Sequence, residues 1–254
     1  MEEKIFTKDY PVRSYEYGPD EKVTAFSLLN YMQDAAVQHS RNSGYSIEDL
    51  FNMGLTWVLY QLHLVIEHRP KWNDTVVVQT WPYKLDRLHA IREFHITSPE
   101  GRVFARASSV WILIDFQKKR PVRIPDVIHQ AFPHVNRQAV PGEFARIPRI
   151  SEEQFRKEFS VRWSDLDSNH HANNTKFAEW CYEAVPAEFH PKYEMHSLEI
   201  LFKNEAHHGE RLLTRVQKLA QTEMGEIPFL HEIENADTGT FLTQARTLWK
   251  ESTF

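Results

Sequence analysis

A chain of 254 residues with 41% hydrophobic and 13% aromatic content can bury one large core or two packed smaller ones, which excludes a disordered or fibrous polymer. Its formal net charge of -5 disfavours broad nucleic-acid binding, and a single cysteine excludes an intramolecular disulfide and a zinc site built from several thiolates. No stretch approaches the ~20 consecutive apolar residues that span a bilayer, so no membrane span is expected. The lone thiol fits a reducing cytoplasm.

In chain order, Met1-Glu2-Glu3-Lys4-Ile5-Phe6 has neither the basic start and apolar run of a signal peptide nor the acid-poor composition of a transit sequence. Phe26, Leu29, Ala36 and Val37 then mark a helical stripe, widened by Leu28 and Met32, that stops before Gly44. Strand-like sequence follows over Leu55 to Ile66, Thr75 to Trp81, His89 to Thr97 and Arg102 to Phe116, rich in β-branched and aromatic residues. Lys118, Lys119, Arg120 and Arg123 form the densest basic cluster; it suits a solvated turn or a docking patch for an acidic partner. Pro121, Pro125, Pro133, Pro141 and Pro148 punctuate the next stretch. Proline removes backbone donors, so a linker is expected there. The expected division is 1–130, a linker over 131–157, and 158–254.

A second helix is expected from near Asn174, capped by Asn173 or Asn174 and ending near Pro186, because Phe177, Trp180, Cys181, Ala184 and Val185 share one stripe. Strands are expected over Ser197 to Lys203, Arg211 to Ala220, Phe229 to Glu234 and Phe241 to Trp249. The halves also share a spacing: Gly101, Ala107 and Trp111 recur as Gly239, Ala245 and Trp249. One helix followed by several antiparallel strands, twice, is an α+β repeat.

Chemistry concentrates between a strand ending near Arg162 and the second helix. If Asp165 to His171 is extended, Asp165, Asp167, Asn169 and His171 share one side and bring carboxylate, amide and imidazole together. Such groups accept protons, hold a carbonyl or water, and exchange protons near neutral pH. Unpaired N–H groups in the first helical turn would add anion stabilisation, as acyl transfer to water requires. An Asx-rich turn that only caps the helix is the alternative. His170, His171, His207 and His208 lack a His-Glu-x-x-His spacing, so no metal is expected.

The run Trp163-Ser164-Asp165-Leu166-Asp167 through Asn173-Asn174, followed by Phe177-Ala178-Glu179-Trp180, resembles the signature of plant and bacterial acyl-acyl carrier protein thioesterases. Gly54-Leu55-Thr56-Trp57-Val58-Leu59, Pro70-Lys71-Trp72-Asn73-Asp74 and Ala107-Ser108-Ser109-Val110-Trp111 extend the resemblance over most of the chain. It implies two tandem hotdog domains, each a long helix wrapped by an antiparallel β-sheet, and a hydrolase without cofactors that releases free fatty acid from acyl carrier protein in fatty acid biosynthesis. It carries the family's functional positions onto Asp167, Asn169, His171 and Glu205, and places the acyl chain in the first domain, with Met32, Trp57 and Leu59 as lining candidates. Ala206 stands where many plant relatives have cysteine, and Cys181 falls on the apolar helical stripe, so a thiol nucleophile is not expected. The partner implied is acyl carrier protein with its phosphopantetheine-linked chain, for which Lys118, Lys119, Arg120 and Arg123 would form the docking surface. An acyl-coenzyme A thioesterase and a non-catalytic acyl-binding module share the same fold, and monomer and homodimer are both compatible with it.

Overall fold

The computed structural model describes residues 5–252, so Met1 to Lys4, read above for targeting signals, lie outside the described residues. The chain divides into two compact units, residues 1–142 and 143–254. The first contains β1 (Phe6–Pro11), α1 (Ala25–Asn42), α2 (Ile47–Asn52), β2 (Leu55–Ile66), β3 (Thr75–Leu85), β4 (His89–Thr97), β5 (Val103–Asp115), β6 (Arg120–Pro121) and α3 (Asp126–Ala131). The second contains β7 (Phe155–Ser160), α4 (Asn174–Glu183), β8 (Tyr193–Phe202), β9 (Arg211–Lys218), β10 (Ile227–Asn235) and β11 (Phe241–Glu251). This is the α+β architecture of two tandem hotdog domains.

Within the first unit the antiparallel strands run β1-β3-β4-β5-β2, and within the second β7-β9-β10-β11-β8. Strand for strand the two orders are the same. The shared spacing now has a physical cause. Gly101 and Gly239 take the left-handed turn conformation ahead of β5 and β11, with φ of 90° and 68°. Ala107 and Ala245 are fully buried, each facing the preceding strand at Phe94 and His231. Trp111 Nε1 donates to Ser109 Oγ at 2.8 Å and Trp249 Nε1 to Thr247 Oγ1 at 2.9 Å, so each indole finds its partner two residues back on its own strand.

Helix α1 starts at Thr24, whose side chain accepts from Ser27 N, and buries Leu28, Leu29, Met32, Ala35 and Ala36. Helix α4 is shorter, ten residues, and buries Phe177, Ala178, Trp180 and Cys181. The strand over Phe6–Pro11 is one that periodicity does not reveal: it is short and at an edge, ends in proline, and buries only Tyr10 fully. No helix among the described residues is long and apolar enough to cross a membrane.

The proline-rich segment expected as a linker is shared out between the units. Trp81 Nε1 donates to Arg137 O at 2.8 Å, Ala139 N donates to Glu93 Oε2 at 2.7 Å, and Val135 and Ala139 pack with Trp81. Further on, Gln244 Nε2 donates to Ile147 O at 2.8 Å and Ser151 N to Gln217 Oε1 at 2.9 Å. Residues before and after Gly142 are therefore bound to the sheet of their own unit.

His231 is fully buried on β10, with Nε2 2.8 Å from Thr247 Oγ1. Burial pushes its imidazole down to about 3 from an ordinary value of 6.5. The unfolded chain therefore binds a proton that the folded chain refuses, so stability is full above pH 6.5 and falls as the pH drops toward 3. Each pH unit in that window costs about 1.4 kcal/mol for such a group. His231→Gln, which cannot protonate, should lose less melting temperature than the parent between pH 7.5 and pH 5 by calorimetry; parallel losses would contradict this.

Candidate active site

The site is built from two loops of the second unit. After β7, Val161 N donates to Glu210 O and Gly209 N to Val161 O, both at 2.9 Å, which docks the chain onto the β8–β9 loop. A short 3-10 turn over Trp163–Asp165 follows. Asp165 is 1% exposed; its carboxylate accepts Arg162 N at 2.8 Å, Nε at 3.1 Å and Nη2 at 2.8 Å. Burial would raise its pKa, but these Arg162 bonds hold the carboxyl below the usual range. Asp165 is a structural clamp that closes the turn.

The extended conformation expected over Asp165 to His171 is not formed. Leu166 bridges Ala172, Asp167 N donates to His171 O at 2.8 Å, and His170 N donates to Asp167 O at 3.0 Å, closing a tight loop. His170 occupies its left-handed position with φ of 61°. Local Asx chemistry overrides alternation here: Asp167 Oδ1 accepts Asn169 N at 2.8 Å and lies 3.4 Å from His171 N. Asp165 thus turns away into the clamp, while Asp167 is anchored to the backbone that carries His171. Asn169 is exposed.

His171 reaches the second loop, where its Nε2 lies 3.2 Å from Glu205 Oε2; the two side chains are 30% and 44% exposed. Glu205 stands beyond the end of β8, not on a strand. The loops are joined by Ala172 N donating to Ala206 O at 2.8 Å, and the second is fixed by Lys203 N on Leu242 O at 2.8 Å and Asn204 Nδ2 on Phe241 O at 2.7 Å. The His207 ring stands edge-on to His171 with centroids 5.0 Å apart, and His171, Glu205 and His207 each place one donor atom within 4.8 Å of the others. His208 turns instead to the exposed Trp163, centroids 5.3 Å apart. That His207 joins His171 while His208 does not depends on the path of the β8–β9 loop, for which local sequence carries no signal.

One further expectation changes and one holds. Asn173 caps α4, its Oδ1 accepting Thr175 N and Thr175 Oγ1 at 2.9 Å, so that first-turn N–H is already engaged. Cys181 is fully buried, and burial raises its thiol well above the ordinary range, so it is no nucleophile. In the first unit the same framework carries different side chains. Tyr17 bridges Val23 as Leu166 bridges Ala172, and Val23 N donates to Pro70 O at 2.7 Å as Ala172 N does to Ala206 O. Lys22 and Arg69 occupy the places of His171 and Glu205, and Arg69 is paired with Asp20.

Of the other candidates, Lys118, Lys119, Arg120 and Arg123 are exposed; Lys118 Nζ is 3.1 Å from Asp115 and Arg123 Nη2 is 3.7 Å from Asp126. Met32 and Leu59 are buried on α1 and β2, and Trp57 packs against the cluster of Leu50, Leu113, Ile124, Ile128 and Phe132.

A doubled hotdog unit whose second copy presents a loop-borne imidazole–carboxylate pair defines the class of this protein: a tandem hotdog chain with a single candidate reaction centre among the described residues. Its sequence matches the profile of the acyl-ACP thioesterase N-terminal domain over residues 3–132 and that of the C-terminal domain over residues 149–251. The chain belongs to the acyl-ACP thioesterase family. It is 28% identical to a chloroplastic acyl-acyl carrier protein hydrolase of Cuphea viscosissima over 97% of this chain and 63% of that protein. Among solved structures it resembles the 12:0-ACP thioesterase from Umbellularia californica, with a TM-score of 0.86 and 25% identity over 98% of this chain and 94% of that one. A Lactobacillus plantarum protein provisionally described as an oleoyl thioesterase shares the fold with a TM-score of 0.91, at 20% identity over 100% of this chain and 98% of that one. The chain spans less than two thirds of the length of the first of these relatives, 63%.

Because Asp165 is buried and its carboxylate takes three donors from Arg162, Asp165→Ala should cost about 1–3 kcal/mol of stability. Urea denaturation measures this, and a loss within 0.5 kcal/mol, as for a surface site, would contradict the clamp.

Proposed function

We propose that this chain hydrolyses the thioester of fatty acyl-acyl carrier protein, giving free fatty acid and holo-carrier protein at the end of chain growth in fatty acid biosynthesis. The observation that carries this is the His171–Glu205 contact at 3.2 Å beside the loop that Asp167 anchors, in a chain of the acyl-ACP thioesterase family. Glu205 takes a proton from the attacking water, Asp167 keeps the His171 loop closed and polar, and His171 delivers a proton to the departing phosphopantetheine sulfur. The thioester gains the elements of water: the new C–O bond forms on the acyl carbon, and the C–S bond breaks to a thiol. With Thr175 N engaged by its cap, the exposed carboxamide of Asn169 is the group we assign to the carbonyl oxygen. No cofactor enters this scheme. The lone thiol suits a reducing compartment such as a cytoplasm.

For the carrier, the exposed Lys118, Lys119, Arg120 and Arg123 supply positive charge that an acidic protein would meet. Ile47, Phe51 and Met53 are exposed on and beside α2, and Phe51 stacks on Phe116 two residues before Lys118 at 4.4 Å. A basic turn beside apolar side chains fits a helix that is acidic with an apolar stripe. The acyl chain we assign to the first unit, along Met32 and Leu59, with Trp57 as part of the packing that shapes it.

Glu205→Gln and His171→Ala should each lower kcat for thiol release from acyl carrier protein by about 100-fold or more, the scale of a lost general acid or base, and Asp167→Ala, which removes the acceptor that closes the His171 loop, should lower it as well. Parental rates in all three would end the assignment. Charge reversal at Lys119 and Arg120 should raise KM for the carrier-bound thioester at least about tenfold while leaving the matching coenzyme A ester within twofold. Equal effects on both would favour a coenzyme A thioesterase.

A further inference from the structure

Three side chains at the mouth of this site have a donor set that hydrolysis does not need. His171, Glu205 and His207 offer two imidazole nitrogens and one carboxylate oxygen, all within 4.8 Å of one another. Two imidazoles and a carboxylate, with one position left to water, are the ligand types Zn2+ takes in open sites. In a tetrahedral zinc site with bonds of about 2.0–2.1 Å, neighbouring ligand atoms lie roughly 3.3 Å apart. His171 Nε2 and Glu205 Oε2 stand at 3.2 Å. A ring nitrogen of His207 lies within 4.8 Å of both, and His207 is exposed on the β8–β9 loop, so it has room to turn toward them.

The backbone beneath the three is held. Ala172 N bonds Ala206 O at 2.8 Å, one residue from each of His171, Glu205 and His207, and His207 N donates to Glu210 Oε2 at 3.0 Å. Three donors on two loops that are tied together start from a backbone already in place, which lowers the ordering cost of binding. The set is specific to His207. His170, at the left-handed loop position, is not among the clustered donors, and His208 is turned to Trp163.

We propose that His171, Glu205 and His207 form a Zn2+ site whose occupancy blocks the hydrolytic centre. A bound ion takes the Nε2 lone pair of His171 and an oxygen of Glu205, the two atoms that move protons in the proposed reaction. Hydrolysis therefore stops while the ion is bound and resumes when a chelator removes it. The metal acts as a brake on a reaction that runs without it. The inhibitory part rests on the hydrolytic function proposed above; the binding part does not.

The test uses the full chain freed of metal with a chelator and then dialysed, titrated with ZnCl2 by calorimetry, and assayed for thiol release from acyl carrier protein at each ratio. One ion per chain should bind with His171 and His207 intact. His207→Ala, an exposed loop change, should weaken binding at least about tenfold, as loss of one of three protein ligands does, while His208→Ala leaves it unchanged. In the assay, Zn2+ should abolish turnover of the parent and EDTA restore it. His207→Ala should keep metal-free kcat within twofold and need at least tenfold more Zn2+ for inhibition. Unchanged Zn2+ affinity in His207→Ala overturns the site, and full turnover with one ion bound at His207 overturns the brake. If metal-free protein shows no turnover at all, the proposed hydrolysis fails, and the calorimetry still decides whether the three residues bind zinc.

Discussion

The main-chain bond from Ala172 N to Ala206 O, 2.8 Å long, joins the loop ahead of α4 to the loop after β8. The first loop closes on itself, Asp167 to His171, and the second is anchored to β11 through Lys203 N and Leu242 O. The crossing bond adds to the bonds of Val161 with Glu210 and Gly209, which dock the segment after β7 onto the same β8–β9 loop. With it, His171 and Glu205 are set 3.2 Å apart although 34 positions separate them in sequence. The requirement behind it is general, since a backbone N–H leaving solvent must find an acceptor. The first unit meets that requirement the same way, through Val23 N and Pro70 O at 2.7 Å. The bond therefore belongs to the fold, and the chemistry is carried by whichever side chains stand beside it. In the first unit these are Lys22 and Arg69, two cations. In the second they are an imidazole and a carboxylate. Duplication of one unit, followed by divergence at two loop positions, accounts for a chain with two like scaffolds and a candidate centre on the second.

How much of this was legible in the sequence follows from the range of the forces involved. The long strands are marked by β-branched and aromatic runs, and β2 and β4 begin and end where those runs do. The start of α4 at Asn174 follows from a short-range cap, Asn173 on Thr175. The repeat of Gly, Ala and Trp was visible, yet its cause was not, because the indole partners Ser109 and Thr247 are defined only by rotamers within each strand. Alternation failed at Asp165 to His171 because Asp165 has a nearer partner, the Arg162 guanidinium and backbone, and Asp167 has its own loop amides. A period-2 argument assumes a ladder partner for every residue, and here the Asx side chains supply the partners instead. Glu205 rests on family resemblance alone, since its neighbour His171 is set by the Ala172–Ala206 crossing between two distant loops and no short-range rule reaches that far.

The polar residues of the second unit fall into two groups with different energetic roles. Asp165 and Glu232 are nearly or fully buried, and each takes several charge-assisted donors: Arg162 for the first, Arg149, Ile150 N and Arg215 for the second. Removing one partner from such a group strands a buried charge, so these residues are tied to folding. His171 and Glu205 are 30% and 44% exposed and face solvent with one contact between them. An ion pair in that setting contributes little to stability, typically less than about 1 kcal/mol, so folding does not account for its being held by two anchored loops.

Partial exposure also limits what the pair does by itself, because water screens its field and competes for its protons. Its strength as a proton relay rises when a bound chain excludes that water. In the proposed reaction that step falls to the substrate: the loops fix the geometry in advance, and an acyl-phosphopantetheine arm would supply the low-dielectric cover. A free enzyme with an open, solvated pair and a covered complex with a strong one would place reactivity after binding. The openness that would admit the proposed thioester would also admit an ion, which is why a third donor at His207 matters at this position and would be inert on a buried one.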